Sequence, residues 1–150
     1  VRMDRHVANT QRVAEFLESQ EQVTTVGYAG LPSSPWHERA QKYAPKGAGA
    51  VITFELAGGY EAGIAFVDAL ALHSNVANIG DVRSLVIHPA STTHSQLDEA
   101  ALAGAGVSPG LVRLAVGLEH IDDIIADLRT GLQAADAVSS AVSTVGGEQH

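Results

Sequence analysis

Four short apolar runs, separated by segments with helical spacing, constrain this chain more than anything else in it. They are "VTTVGY" (23–28), "GAVITFEL" (49–56), "SLVIH" (84–88) and "GLVRLAVGLE" (110–119). Their β-branched content suits strands. "GAVITFEL" is a largely apolar run, interrupted by Thr53 and Glu55, and is read as a strand at the centre of a sheet. A weaker run, "HSNVA" (73–77), adds a fifth strand beside 84–88.

The intervening segments carry the other period. Met3, Val7, Ala14 and Leu17 recur at helical intervals across 2–19. In "LPSSPWHERAQKYAPKG", Ser34 can cap a helix whose first turn accepts Pro35, and Pro45 and Gly47 close it. "YEAGIAFVDALAL" puts Ala62, Phe66 and Leu70 on one side, and Asp98 can cap a short helix ending by Gly104 or Gly106. Ile121, Ile124, Ile125 and Leu128 form the apolar stripe of a helix over 120–138. The predicted order is α-β-α-β-α-β-β-α-β-α. It specifies an α+β fold, with a mixed, largely antiparallel sheet and helices on one face. The other face is then polar or covered by something else.

Composition narrows the function classes. At 150 residues, 45% hydrophobic and 17% charged, the chain can bury a core as one domain. A net charge of −8 argues against unaided nucleic-acid binding. No apolar run approaches the roughly 20 residues of a membrane span. The absence of cysteine removes disulfides and thiolate chemistry. These features predict a soluble, cytoplasmic protein. The first helix begins in stride without a cap, so the chain is expected to be cut from something longer. On that expectation 1–20 is a helix leading to a missing large domain, 21–138 is the C-terminal α+β domain, and 139–150 is a frayed tail.

The hydroxyl and imidazole cluster of "SLVIHPASTTHSQL" (84–97) invites catalytic readings, and none fits. Seven histidines show no metal-ligand spacing. No nucleophile elbow accompanies Ser91, Thr92 or Thr93, and these hydroxyls suit turn capping better. "GAGA" precedes a strand rather than a helix, the wrong order for a phosphate loop. Arg113 is different. It interrupts an apolar strand, and a buried arginine is costly unless it meets an anion. Its planar fork matches a carboxylate. An internal salt bridge, or an outward position at the sheet edge, remains the alternative.

"VRMDRHVAN", "YAGLPSSPWHERAQKYAPKGAGAVITFEL", "NVANIGDVRSLVIHPASTTHSQL" and "GLVRLAVGLEHIDDIIADL", in that order, resemble one family. It is the pyridoxal-phosphate enzymes of cysteine and methionine metabolism, and the likeness is to their C-terminal part, covering residues 1 to about 135. The "ANIGDVRSLVIHPASTTHSQL" phrase is most similar to the branch that acts on O-acetylhomoserine with sulfide or a thiol. The γ-synthase and γ-lyase branches are the alternative within the family. A stand-alone amino-acid-binding module and a structural oligomerisation domain are the alternatives outside it.

The resemblance implies the small domain of a fold-type I enzyme, commonly a tetramer, that uses pyridoxal phosphate. It implies that Arg113 grips the substrate α-carboxylate, with Asn78 and the backbone of Ile79 completing the pocket and Thr93 and Ser84 near the cofactor–substrate face. Position 115 is Ala where the motif usually carries Ser. The family's cofactor lysine belongs to the large domain, and Lys42 and Lys46 stand in no comparable motif. The chain alone is therefore expected neither to hold the cofactor covalently nor to catalyse.

Overall fold

In the computed structural model, which describes residues 1–92 and 104–145, the sheet is built as the apolar runs predict. Helix α1 (Arg2–Glu18) leads into β1 (Val23–Gly27), a short α2 (His37–Tyr43), β2 (Val51–Leu56) and α3 (Gly59–Ala69). Then come β3 (Ser74–Asn75), β4 (Leu85–Ile87), a 3-10 turn (Pro89–Ser91), β5 (Leu111–Ala115) and α4 (Ile121–Val145). The strands lie in the order β1-β2-β5-β4-β3. All pairs are antiparallel except β3 with β4, so the sheet is mixed.

Alternation along the strands decides the two faces. Ile52, Phe54 and Leu56 of β2 and Val112 and Leu114 of β5 are buried on one face. There they meet Val13 and Leu17 of α1, Phe66 of α3, and Ile124, Leu128 and Leu132 of α4. Phe54 and Phe66 meet edge to face at 5.3 Å, a geometry the ring quadrupole favours. The opposite face carries Val51, Thr53 and Glu55, then Leu111, Arg113 and Ala115, then Leu85 and Ile87, as the register dictates. The helices are thus confined to one side, and Arg113 stands on the other.

Four expectations need correction. The central strand is β5, not β2; strand order across a sheet is a long-range outcome that a local apolar run does not encode. Regular helix α2 starts at His37, two residues after the position expected from Pro35. Ser34 Oγ instead accepts the Trp36 N–H at 3.2 Å, and residues 31–37 wind through two successive turns first. The fifth strand shrinks to Ser74–Asn75. The segment expected to fray from 139 is helical through Val145, because Ser139 packs on Gly58, where no side chain fits between them, and its hydroxyl donates to the Ala135 carbonyl at 2.9 Å. The helix proposed after Asp98 lies mostly outside the described residues.

Candidate active site

Arg113 occupies the middle of the central strand, directly opposite Thr53 on β2 and Ile87 on β4. It is half-buried, so the burial cost that singled it out in the sequence is largely avoided by facing the open side. Among the described residues it forms no salt bridge. Its one hydrogen bond there runs from Nη2 to the Asn78 carbonyl at 3.0 Å. The other guanidinium N–H groups have no partner among the described residues, and their planar arrangement matches a carboxylate in two parallel bonds.

Asn78 belongs to the 76–83 loop between β3 and β4. Its side-chain oxygen accepts the Ile79 N–H at 2.8 Å, a local closure typical of asparagine in turns. Asn78 is therefore brought to Arg113 through its backbone, while the Ile79 N–H is already used within the loop and is not offered to a carboxylate. Val76, Ile79 and Val82 of the same loop are 50, 65 and 47% exposed.

Ser84 faces away from any open surface. It is fully buried; its hydroxyl donates to Glu119 Oε2 at 2.9 Å and accepts the Gly117 N–H at 2.9 Å. Its own N–H donates to Glu119 Oε1 at 2.6 Å. With donors and acceptor satisfied inside the fold, Ser84 does not present a group to substrate, which corrects the expectation for it. Thr93 lies outside the described residues.

The imidazole that opens the 84–97 cluster is likewise internal. His88 is buried; Nε2 donates to the Pro109 carbonyl at 2.6 Å and Nδ1 accepts from Ser91 Oγ at 2.9 Å. Sequence reasoning missed a second buried pair. His73 Nδ1 lies 2.7 Å from Asp127 Oδ2, and the Ala71 and His73 N–H groups also donate to that carboxylate. Burial pulls the His73 imidazole below its ordinary value, outweighing the opposite pull of Asp127 and Glu119. Burial works to raise the Asp127 carboxyl, but its hydrogen bonds outweigh this and hold it below the usual range. No sequence signal links positions 73 and 127. Glu119 had one, as the acid closing the strand motif "VGLE". Among the described residues no group of histidine, aspartate and glutamate could hold a metal ion. Nor is any described helix long and apolar enough to cross a membrane.

Pyridoxal phosphate does not fit as a covalent guest of this chain. A Schiff-base lysine must be desolvated or otherwise activated, whereas Lys42 and Lys46 are exposed, and the Lys42 ammonium rests 5.2 Å from the centre of the Tyr43 ring.

Comparison with known proteins places these features in context. The family model for Cys/Met metabolism PLP-dependent enzymes matches residues 1–133. The O-acetyl-L-homoserine sulfhydrylase of Corynebacterium glutamicum is 58% identical over 134 residues, 89% of this chain and 31% of that protein. O-acetyl-L-homoserine sulfhydrylase 1 of Thermus thermophilus is 55% identical, over 88% of this chain and 31% of its own length. The L-methionine gamma-lyase of Pseudomonas putida is 48% identical, over 89% and 33%. Among solved structures, a putative O-acetylhomoserine (thiol)-lyase of Campylobacter jejuni superposes with a TM-score of 0.81 at 41% identity. It matches 88% of this chain and 31% of its own, and it carries a pyridoxyl-lysine monophosphate. The chain thus spans about a third of the length of the relatives it matches.

Proposed function

This chain belongs to the family of Cys/Met metabolism PLP-dependent enzymes, and on that premise we propose that it is the small, C-terminal domain of an O-acetylhomoserine sulfhydrylase. The enzyme replaces the γ-acetoxy group of O-acetylhomoserine by sulfide or another thiol: the γ-carbon–oxygen bond breaks, acetate leaves, and a carbon–sulfur bond forms to give homocysteine from sulfide. Pyridoxal phosphate, held by the rest of the enzyme, supplies the electron sink for this chemistry. The observation that carries the reading is Arg113, a half-buried guanidinium in the middle of β5 that forms no ion pair among the described residues, in a chain 58% identical to a sulfhydrylase over 134 residues.

The work of this domain is binding and orientation. Arg113 takes the α-carboxylate with the N–H groups that Asn78 leaves free, and so fixes the rotation of the substrate about its α-carbon. Its role is to bind and orient, not to transfer a proton. Thr93 is assigned to the cofactor–substrate face on the family resemblance alone. The exposed Val76, Ile79 and Val82 meet the remainder of the enzyme, a cytoplasmic homotetramer, and help exclude water from the carboxylate. The second reading, a γ-synthase or γ-lyase domain, has one observation in its favour. A cystathionine gamma synthase of Xanthomonas oryzae pv. oryzae, solved with cystathionine, superposes with a TM-score of 0.80 at 41% identity.

The test is Arg113→Ala in the full enzyme. Charge-assisted hydrogen bonds contribute about 1.5–3 kcal/mol each, so KM for O-acetylhomoserine should rise by about tenfold to a hundredfold or more, while KM for sulfide changes little. An unchanged kcat/KM would remove Arg113 from the site. A wild-type enzyme that turns over cystathionine or methionine in preference to O-acetylhomoserine would favour the second reading.

A further inference from the structure

The loop that presents Asn78 to Arg113 is not held by its own contacts alone. Its two ends close on each other where the Ser74 N–H donates to the Ser84 carbonyl at 3.0 Å. Ser84 is then clasped by the Glu119 carboxylate, one oxygen taking its N–H at 2.6 Å and the other its hydroxyl at 2.9 Å. Two residues beyond β5, the turn approaches so closely that a Cβ on Gly117 would fall 2.5 Å from both the Arg83 carbonyl carbon and the Ser84 nitrogen. A further bond, Leu118 N–H to the Val82 carbonyl at 2.8 Å, ties the loop to the same turn. Helix α1 grips the turn from its other side. Asn9 Nδ2 donates to the Gly117 and Glu119 carbonyls at 3.0 Å each, and Arg5 Nη2 to the Glu119 carbonyl at 3.2 Å.

We propose that Glu119 is a positioning residue for the carboxylate site: its side chain staples the 76–83 loop to the exit of β5 and thereby fixes the Asn78 carbonyl against the Arg113 guanidinium. The proposal rests on the reading of Arg113 as a carboxylate-binding group. The reasoning is geometric. Arg113 and Glu119 lie at the middle and just past the end of one strand, and the loop between β3 and β4 touches both. Among the described residues, releasing the Glu119 end leaves the loop joined to β5 and its exit turn through the Leu118 amide, the Ser84 hydroxyl and Arg113 itself. The guanidinium then loses a fixed acceptor and samples other rotamers before substrate arrives, a cost borne in binding. A carboxylate suits this role because it accepts two donors from one serine at once, and ionised acceptors make the stronger bonds.

The experiment has two arms. In the 150-residue chain, Glu119→Gln and Ser84→Ala are compared with wild type by amide hydrogen exchange and by the NMR signal of the Arg113 side chain. In both variants the Leu118 amide should exchange about tenfold faster or more, as loss of a charge-assisted bond implies. The Arg113 side-chain signal should shift or broaden, while amides of the β2–β5 ladder keep their protection. In the cofactor-loaded enzyme, Glu119→Gln should raise KM for O-acetylhomoserine about tenfold with kcat nearly unchanged, and add nothing further once Arg113→Lys is present. Wild-type exchange and an unmoved Arg113 signal in both variants would overturn the proposal, as would equal loosening of loop and ladder. So would a KM effect that adds in full to that of Arg113→Lys. A wild-type enzyme inactive on O-acetylhomoserine would sink the functional reading instead, and the exchange arm would then decide the role of Glu119 by itself.

Discussion

His88 shows how a residue with catalytic chemistry is used up by packing. Its ring is bonded at Nε2 to Pro109 and at Nδ1 to Ser91, while its Nε2 edge lies against Gly63 of α3. A Cβ at position 63 would fall 2.4 Å from Nε2 and 2.6 Å from Cδ2. Glycine within a helix costs about 1 kcal/mol relative to alanine, so propensity alone would make Gly63→Ala stabilising. Overpacking costs about 1–3 kcal/mol, and displacing the ring also breaks the bond to a buried carbonyl, another 1–3 kcal/mol or so. Packing wins. Gly63→Ala should lower Tm, by about 2–4 °C per net kcal/mol for a chain of this size, and a variant melting above wild type would refute a rigid His88. The sequence could not distinguish this outcome, because an imidazole beside hydroxyls reads the same whether it faces a ligand or a carbonyl 21 residues away. Arg113 was readable for the opposite reason. A charge inside an apolar strand is anomalous wherever it points, although its half-exposed setting on the open face emerged only from the strand register.

At the scale of elements, the helices and strands followed from local period, while their joins did not. The tie between α4 and the segment entering β3 is one such join, made by Asp127 accepting three donors from residues 71–73. Once His73 Nδ1–H donates to Asp127, its buried Nε2 has no partner among the described residues. Adding a proton there would strand an N–H as well as a charge. The sign of the pH effect follows. With the folded imidazole held below the ordinary value of about 6.5, the unfolded chain binds more protons as pH falls through that value. Stability is therefore lost from about pH 6.5 downward until the lowered folded value is passed. Asp127 adds a loss at still lower pH, because its folded carboxyl is held below the usual carboxylate range and its contribution disappears as it protonates. Thermal melts across this range should show wild type falling in Tm below pH 6.5. His73→Gln should be less stable in mild alkali yet flatter through the same window. An equal slope in both proteins would assign the acid loss to the other six histidines.

The whole molecule divides its labour unevenly, with one sheet face packed against the helices as the core and the other carrying Arg113. Both lysines, Lys42 and Lys46, stand apart from that face, on and just after a helix none of whose residues is buried. An anchoring lysine for pyridoxal phosphate reacts as the free amine, which calls for a desolvated pocket or a neighbouring cation. Both lysine side chains are exposed, so neither is desolvated. Incubating the 150-residue chain with pyridoxal phosphate, reducing with borohydride and mapping the labelled peptides tests this directly. Labelling should be slow, partial and spread over Lys42, Lys46 and the amino terminus, and the treated chain should form no homocysteine from O-acetylhomoserine and sulfide. Stoichiometric modification of a single lysine, together with turnover, would mean that the open face and one of these lysines complete an active site on their own. In that case the chain would be a minimal enzyme, and the small-domain reading would fail.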